Sequence, residues 1–218
     1  MGLTRVTVEV RDLAKSRKPY ENEFLVDREF AFKKINHIFE KMLAIARNES
    51  FYESFPTVKE FLHSDKEFSA CTQDEKNIFE TVFALLESGV IPDKYINIIQ
   101  KLSKCFKIGV ISNIWSESSY FRNYYKRYGI MDCFSTTVFS SDYGIIKPSV
   151  KLFDIALSFF NIKKEKIAYA GNNYKRDVVG AKNAGLTSIL IDNGSASKIT
   201  GDIKPDMTVN DLGEIFDI

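Results

Sequence analysis

Three short polar clusters in this sequence carry the residue types that phosphate or metal chemistry needs. They are Ser112-Asn113, the run Ser140-Ser141-Asp142-Tyr143-Gly144-Ile145-Ile146-Lys147-Pro148, and Gly171-Asn172 followed by Asp177. A hydroxyl beside backbone N–H groups, as at Ser112 and Asn113, can hold phosphate oxygens. A lysine at a helix start, Lys147, supplies a fixed positive charge against an anionic group. Asn172 and Asp177 could supply oxygen ligands for a hard cation such as Mg²⁺. Each cluster alone also has an ordinary reading. Ser-Asn is a common turn, Lys-Pro a common way to open a helix, and Asp177 a solvated acid near a helix start. Their order and their placement after successive apolar runs make the set specific.

Those runs are the elements that must position them. The stretch KIAYAGNNYKRDVVGAKNAG reads as a buried strand (Ile167–Ala170), a turn at Gly171 and a helix of small residues, Gly180, Ala181, Ala184 and Gly185. Such a strand–turn–helix is the active-edge unit of an open parallel sheet, whose carboxyl ends converge on one crevice. From Pro92 the pattern alternates: helix Asp93–Lys104, strand Phe106–Ile111, helix Glu117–Tyr128, strand Thr137–Phe139, helix Val150–Phe160. Strands at Ser188–Ile191 and near Met207–Val209 close it. Repeated βα units with short connections predict a doubly wound parallel sheet.

Residues from about Phe24 to Gly89 show helical spacing and no strand, with Phe30, Ile35, Ile38, Phe39, Met42, Leu43 and Ile45 in the first helix. Pro56 opens a second helix and Asp74–Leu86 forms a third. The aromatic load there predicts a bundle core, and both histidines, His37 and His63, fall within it in core or surface roles. Val6–Val10 is a candidate first strand by its β-branched content. Its alternation with Thr7, Glu9 and Arg11 departs from the continuous apolar run of a strand covered on both faces. The expected fold is α/β: a Rossmann-like, doubly wound parallel sheet core of residues 1–20 and 90–218, with a smaller helical cap domain at 21–89.

Composition excludes several classes. With 218 residues, 44% hydrophobic and 27% charged, the chain reads as a globular protein large enough for one core and an insert. A net charge of +1 argues against a nucleic-acid or polybasic membrane binder. Cys71, Cys105 and Cys133 have no paired spacing, which favours reduced thiols. The opening MGLTRVTVEVRD lacks the apolar region of a secretory leader, and no run reaches the length of a membrane span, so the expected location is cytoplasmic.

In combination, KIGVISN, SSDYGIIKPSVKLFDIAL and YAGNNYKRDVVGAKNAG resemble the second, third and fourth motifs of the haloacid dehalogenase (HAD) superfamily of hydrolases. The resemblance spans roughly Pro92 to Asp192, and the helical stretch matches the subgroup with a cap inserted after the first strand. In that family an aspartate ending the first strand attacks phosphorus, or carbon in the dehalogenases, and a second acid two residues on protonates the leaving group. Phosphatase members also bind Mg²⁺ through these groups and a fourth-motif acid. The resemblance casts Ser112 and Asn113 as substrate-oxygen contacts. It makes Lys147 the charge that stabilises nucleophile and phosphate, and Asp177 the acid retained near the metal.

The family's first motif, D-x-D-x-T, is altered. One register aligns Asp12-Leu13-Ala14-Lys15-Ser16, keeping a nucleophile and a phosphate-binding hydroxyl (Ser16) but placing Ala14 where the general acid belongs. The other puts Glu9 at the nucleophile position and Arg11 at the acid position. The Asp12 register is preferred because Asp and Ser both fall in place. In the fourth motif Asn172 replaces the first acid, which offers a carbonyl oxygen without charge and weakens Mg²⁺ binding. Loss of a general acid costs roughly 10²–10⁴-fold for a poor leaving group. The resemblance therefore implies a Mg²⁺-dependent phosphatase acting on a small phosphate ester through Asp12. Two alternatives stand beside it: a catalytically silent HAD-like binding or regulatory protein, and a metal-independent 2-haloacid dehalogenase-like hydrolase. The expected partner is a small molecule, with no nucleic acid and no membrane, and with oligomeric state open.

Overall fold

The computed structural model describes residues 28–192, 194, 199 and 201–217. The candidate first strand Val6–Val10, with Glu9, Arg11, Asp12, Ala14 and Ser16, lies outside the described residues.

Three helices come first: α1 (Arg28–Arg47), α2 (Val58–Ser64) and α3 (Gln73–Ser88). Thr57 and Thr72 open α2 and α3 in the same way. Each hydroxyl accepts from the N–H three residues on, and the glutamate there (Glu60, Glu75) returns its carboxylate to the cap N–H. This reciprocal cap satisfies donors that no helical carbonyl can reach, and removing the threonine costs about 1 kcal/mol. The apolar positions of the three helices then meet. Ile35, Ile38, Met42, Val58, Phe61, Leu62, Phe79 and Phe83 are all buried in one cluster with Phe55 and Phe68. Most of the aromatic load is therefore core, as its spacing predicts, while Phe30, Phe32 and Phe51 are exposed. His37 is half-buried against the rings of Phe61 and Phe68, and His63 is exposed. Ile146, from the α/β half, is buried in the same cluster and Trp115 packs against it. The two halves thus share one core.

The α/β half runs α4 (Asp93–Cys105), β1 (Ile108–Ser112), α5 (Ser118–Arg127), β2 (Phe134–Phe139), α6 (Val150–Leu157) and β3 (Ala168–Gly171). A π-helical stretch, Tyr174–Val179, continues into α7 (Gly180–Asn183), followed by β4 (Thr187–Ile191) and β5 (Met207–Val209). β1 pairs with β2 in parallel, and β3, β4 and β5 form a second parallel ladder in that order. Parallel neighbours need crossovers; α5 lies in the one between β1 and β2, and α7 in the one between β3 and β4. Among the described residues the expected elements are present, with shifts at their ends. Phe106 belongs to the end of α4 rather than to β1, because its N–H still donates to Leu102 O at 2.8 Å.

Among the described residues the two ladders are joined by side chains. The Tyr169 hydroxyl on β3 donates to Ile111 O on β1 at 3.2 Å, and Lys147 Nζ donates to the same carbonyl at 3.2 Å. Gly180 lets α7 approach α6, since a Cβ there would lie 2.7 Å from the ring of the fully buried Phe153. No helix among the described residues is long and apolar enough to cross a membrane.

Candidate active site

The carboxyl ends of β1 and β3 and the loop after β2 bring the predicted side chains to one place. Lys147 Nζ donates to Asp177 Oδ1 at 2.7 Å and to the Tyr169 hydroxyl at 2.7 Å. Only 10% of the Lys147 side chain and 8% of the Asp177 side chain are exposed, so the pair sits in a low-dielectric environment where its charges are weakly screened. Burial pushes the Lys147 amine below its ordinary value, against the opposing pull of Asp177. Burial also raises the Tyr169 hydroxyl well above its ordinary value, and the Asp177 charge adds to this. The phenol therefore stays protonated while its oxygen accepts from Lys147 Nζ.

Local sequence explains the convergence. Asp177 Oδ2 accepts from Asn173 N at 2.8 Å, folding the carboxylate back over the strand end. That fold requires Gly171, because a Cβ there would lie 2.5 Å from Asp177 Cγ and Oδ2. Asn113 fixes the other partner. Its Oδ1 accepts from Lys147 N at 2.8 Å and its Nδ2 donates to Lys147 O at 3.1 Å. The Asn113 amide is thus engaged with the lysine's backbone. Ser112 closes β1 in register with Phe139, and Asn172 is exposed at the end of β3. Asp12 and Ser16 lie outside the described residues.

The donors that could hold Mg²⁺ are few among the described residues. Asp177 has one oxygen on the Lys147 ammonium and the other on Asn173 N, and Asn172 brings no charge. No group of three His, Cys, Asp or Glu side chains among the described residues could hold a metal ion. These residues do not make a Mg²⁺ site by themselves.

Two groups that motif reasoning passed over complete the site. Glu87, at the end of α3, accepts from Trp115 N at 2.7 Å and Ser116 N at 3.0 Å. Burial raises its carboxyl to about 7, with the two backbone N–H groups pulling the other way. An acid in the last turn of a helix opposes the macrodipole, and that misplacement was the available sequence signal. Arg176 is exposed beside Asp177, and its charge lowers the proton affinity of Lys147. Both residues, with Asn113, line a cavity of about 280 Å³ between α1, α3 and the loop after β1. The helical layer is pinned over it by backbone bonds: Val58 N to Trp115 O at 2.7 Å, Phe55 N to Gly144 O at 2.8 Å and Ile146 N to Tyr52 O at 2.9 Å.

The site is thus a buried lysine–aspartate pair at the carboxyl edge of parallel α/β ladders, beneath a helical layer. The model of the haloacid dehalogenase-like hydrolases matches residues 29–191, and the chain belongs to that family. It is 36% identical over 88 residues to the phosphoserine phosphatase of Thermus thermophilus, covering 40% of this chain and 35% of the relative. It is 34% identical over 109 residues to the glyceraldehyde 3-phosphate phosphatase of Methanothermobacter thermautotrophicus, covering 50% and 46%. It is also 33% identical over 110 residues to the pyrimidine 5'-nucleotidase YjjG of Escherichia coli, covering 50% and 48%. The chain spans less than half the length of each of these relatives. In fold, it superposes on the putative HAD-hydrolase YfnB of Bacillus subtilis with a TM-score of 0.64 at 16% identity, over 99% of this chain and 91% of that one. A 2-haloacid dehalogenase of Pseudomonas syringae superposes with a TM-score of 0.60 at 17% identity, over 97% and 88%.

Proposed function

We propose that this protein hydrolyses a small phosphate monoester through an aspartyl-phosphate intermediate. The observation that carries the reading is the buried Lys147–Asp177 pair at the meeting of β1 and β3, in a family member whose curated relatives are phosphatases. In this reading the Asp12 carboxylate attacks phosphorus and the ester oxygen leaves with the electron pair of the broken P–O bond. Water then cleaves the acyl phosphate, regenerating Asp12 and releasing phosphate. Lys147 offsets the charge of nucleophile and phosphate, with Asp177, Gly171 and Asn113 fixing its position. Ser112 and Ser16 contact phosphate oxygens. Arg176 adds a second, exposed cation that can pair bidentately with phosphate. Asn172 and Asp177 are the described groups on the side where Mg²⁺ would bind, with the remaining ligands from the first motif. With Ala14 at the acid position, an activated leaving group is favoured over a poor one. Helices of residues 21–89 serve as the cap over residues 1–20 and 90–218, excluding water from the site.

The test is hydrolysis of 4-nitrophenyl phosphate by the purified chain, with and without Mg²⁺, beside Asp12→Asn and Lys147→Ala. Turnover abolished in both variants is the expected result. Full activity in Asp12→Asn would remove the aspartyl register, and absence of turnover in the unaltered protein under all conditions would remove the phosphatase reading.

A further inference from the structure

We propose that the cavity between α1, α3 and the loop after β1 binds the organic half of the substrate. On this proposal it selects phosphate esters bearing an apolar ring over esters of small polyols. This deepens the phosphatase reading and rests on it for the identity of the anionic group.

The walls of the cavity come from three elements. Ile35 and Phe39 stand on α1, Phe83 and Leu86 on α3, and Trp115 on the loop after β1. Trp115 is the fixed wall. Its ring lies 5.9 Å from Phe39, 6.1 Å from Phe55 and 6.1 Å from Phe83, the last nearly parallel at 24°. Its backbone is held on both sides, donating to Glu87 and accepting from Val58 N. An aromatic surface held this way keeps its shape without a ligand, which lowers the cost of ordering on binding.

Four polar residues line it, Asn36, Glu87, Asn113 and Arg176, and two of them are spent within the protein. Asn113 is engaged on both sides with the Lys147 backbone, and Glu87 accepts two backbone N–H groups. A polyol brought into such a pocket would give up water contacts for its hydroxyls and find, on the walls, only the Asn36 amide and the Arg176 guanidinium in exchange. A ring loses nothing of that kind and gains burial. An apolar cavity of roughly 150 Å³ holds benzene, so about 280 Å³ accommodates a single ring with a short linker. Arg176 lines this cavity from the π-helical stretch that carries Asp177, and its charge reaches Lys147. A ligand with a ring at one end and an anion at the other fits that arrangement.

Trp115 is the only tryptophan in the chain, so its fluorescence reports on the cavity alone. The full chain is titrated with benzylphosphonate, methylphosphonate, 2,3-dihydroxypropylphosphonate and benzyl alcohol, none of which it can hydrolyse. Benzylphosphonate is expected to bind at least about tenfold more tightly than the methyl and dihydroxypropyl compounds, in line with burying several apolar carbons. Leu86→Gln is expected to weaken benzylphosphonate about fivefold by placing an amide in the apolar wall. Equal affinity for benzyl- and methylphosphonate, or tighter binding of the dihydroxypropyl compound, would overturn the proposal. Benzyl alcohol separates the two layers of the argument. If it binds as tightly as benzylphosphonate, the phosphatase reading fails and takes the substrate assignment with it. If phosphonates bind without discrimination while 4-nitrophenyl phosphate is turned over, the pocket assignment alone fails.

Discussion

Replacing Asp177 by Asn should leave the Lys147 ammonium buried without its counter-charge, and the size of the penalty has a physical ceiling. The two groups are 2.7 Å apart and about nine-tenths buried, so water cannot substitute for the lost carboxylate. Breaking such a pair by removing one partner costs about 3–5 kcal/mol. The lysine has an escape: it can give up its proton. At pH 7, neutralising an amine whose unfolded pKa is about 10.4 costs 1.36 kcal/mol per unit over roughly 3.4 units, or about 4.6 kcal/mol. The loss on Asp177→Asn should therefore lie near 3–5 kcal/mol and not beyond.

The same argument fixes the pH dependence. In the variant the folded-state pKa of Lys147 lies far below its unfolded value, so the unfolded chain binds more protons between them. Stability of the variant must then rise with pH through that window, by up to about 1.4 kcal/mol per unit. Urea unfolding at pH 7, 8 and 9, compared with Lys147→Met and with the double variant, measures this. The double variant should cost less than the sum of the two single changes, because neither charge is left alone. A penalty under about 1 kcal/mol for Asp177→Asn, with no added pH slope relative to Lys147→Met, would refute a charged buried pair.

Two further outcomes follow from the same site. Gly171→Ala should destabilise by about 3 kcal/mol and weaken catalysis with it, because the new Cβ would lie 2.5 Å from the Asp177 carboxylate and push it off Asn173 N and Lys147. Urea midpoints read the first effect, and turnover of 4-nitrophenyl phosphate the second. Glu87 has a folded-state pKa raised from 4.5 to about 7, so its contribution to stability is fully present below pH 4.5 and lost as pH rises through 7. The change amounts to about 3 kcal/mol. The stability gap between the unaltered chain and Glu87→Gln should shift by roughly 2.4 kcal/mol of that between pH 5 and pH 7.5, and identical pH profiles would disprove the raised carboxyl.

Sequence reasoning reached the α/β half because its signals are local. Each strand is an apolar run ended by a polar cluster, and the order of the clusters brings Lys147 and Asp177 together once the strands are parallel. The helical layer was legible for the same reason, from spacing, although the cap of α2 is Thr57 and not Pro56, and α3 begins at Gln73 under a Thr72 cap. What stayed hidden depends on distant partners. Tyr169 reads as one more apolar residue in AYAG, and only β1 across the gap gives its hydroxyl a role. Glu87 reads as a helix-end acid until Trp115 and Ser116, from another element, present their N–H groups. Asn113 reads as a phosphate contact from its place after a strand, whereas both ends of its amide are engaged with residue 147. Tyr174–Val179 carries no compositional mark of its π-helical winding.

These hidden contacts bear on how the lysine can serve a substrate. An ammonium has three N–H donors, and Lys147 spends them on Asp177 Oδ1, the Tyr169 hydroxyl and Ile111 O. A phosphate oxygen must therefore replace one of these acceptors. Asp177 is the costly one to give up, because it carries the counter-charge. The longest bond, at 3.2 Å, goes to Ile111 O, and that carbonyl also accepts from the Tyr169 hydroxyl at 3.2 Å. Trading it for a substrate oxygen leaves no orphaned group in the strand. Tyr169 thus lets the lysine be held rigidly before a substrate arrives and still be released toward it at small cost. A phenylalanine at that position would keep the packing against Phe153 but leave Ile111 O without a partner whenever the lysine turned away.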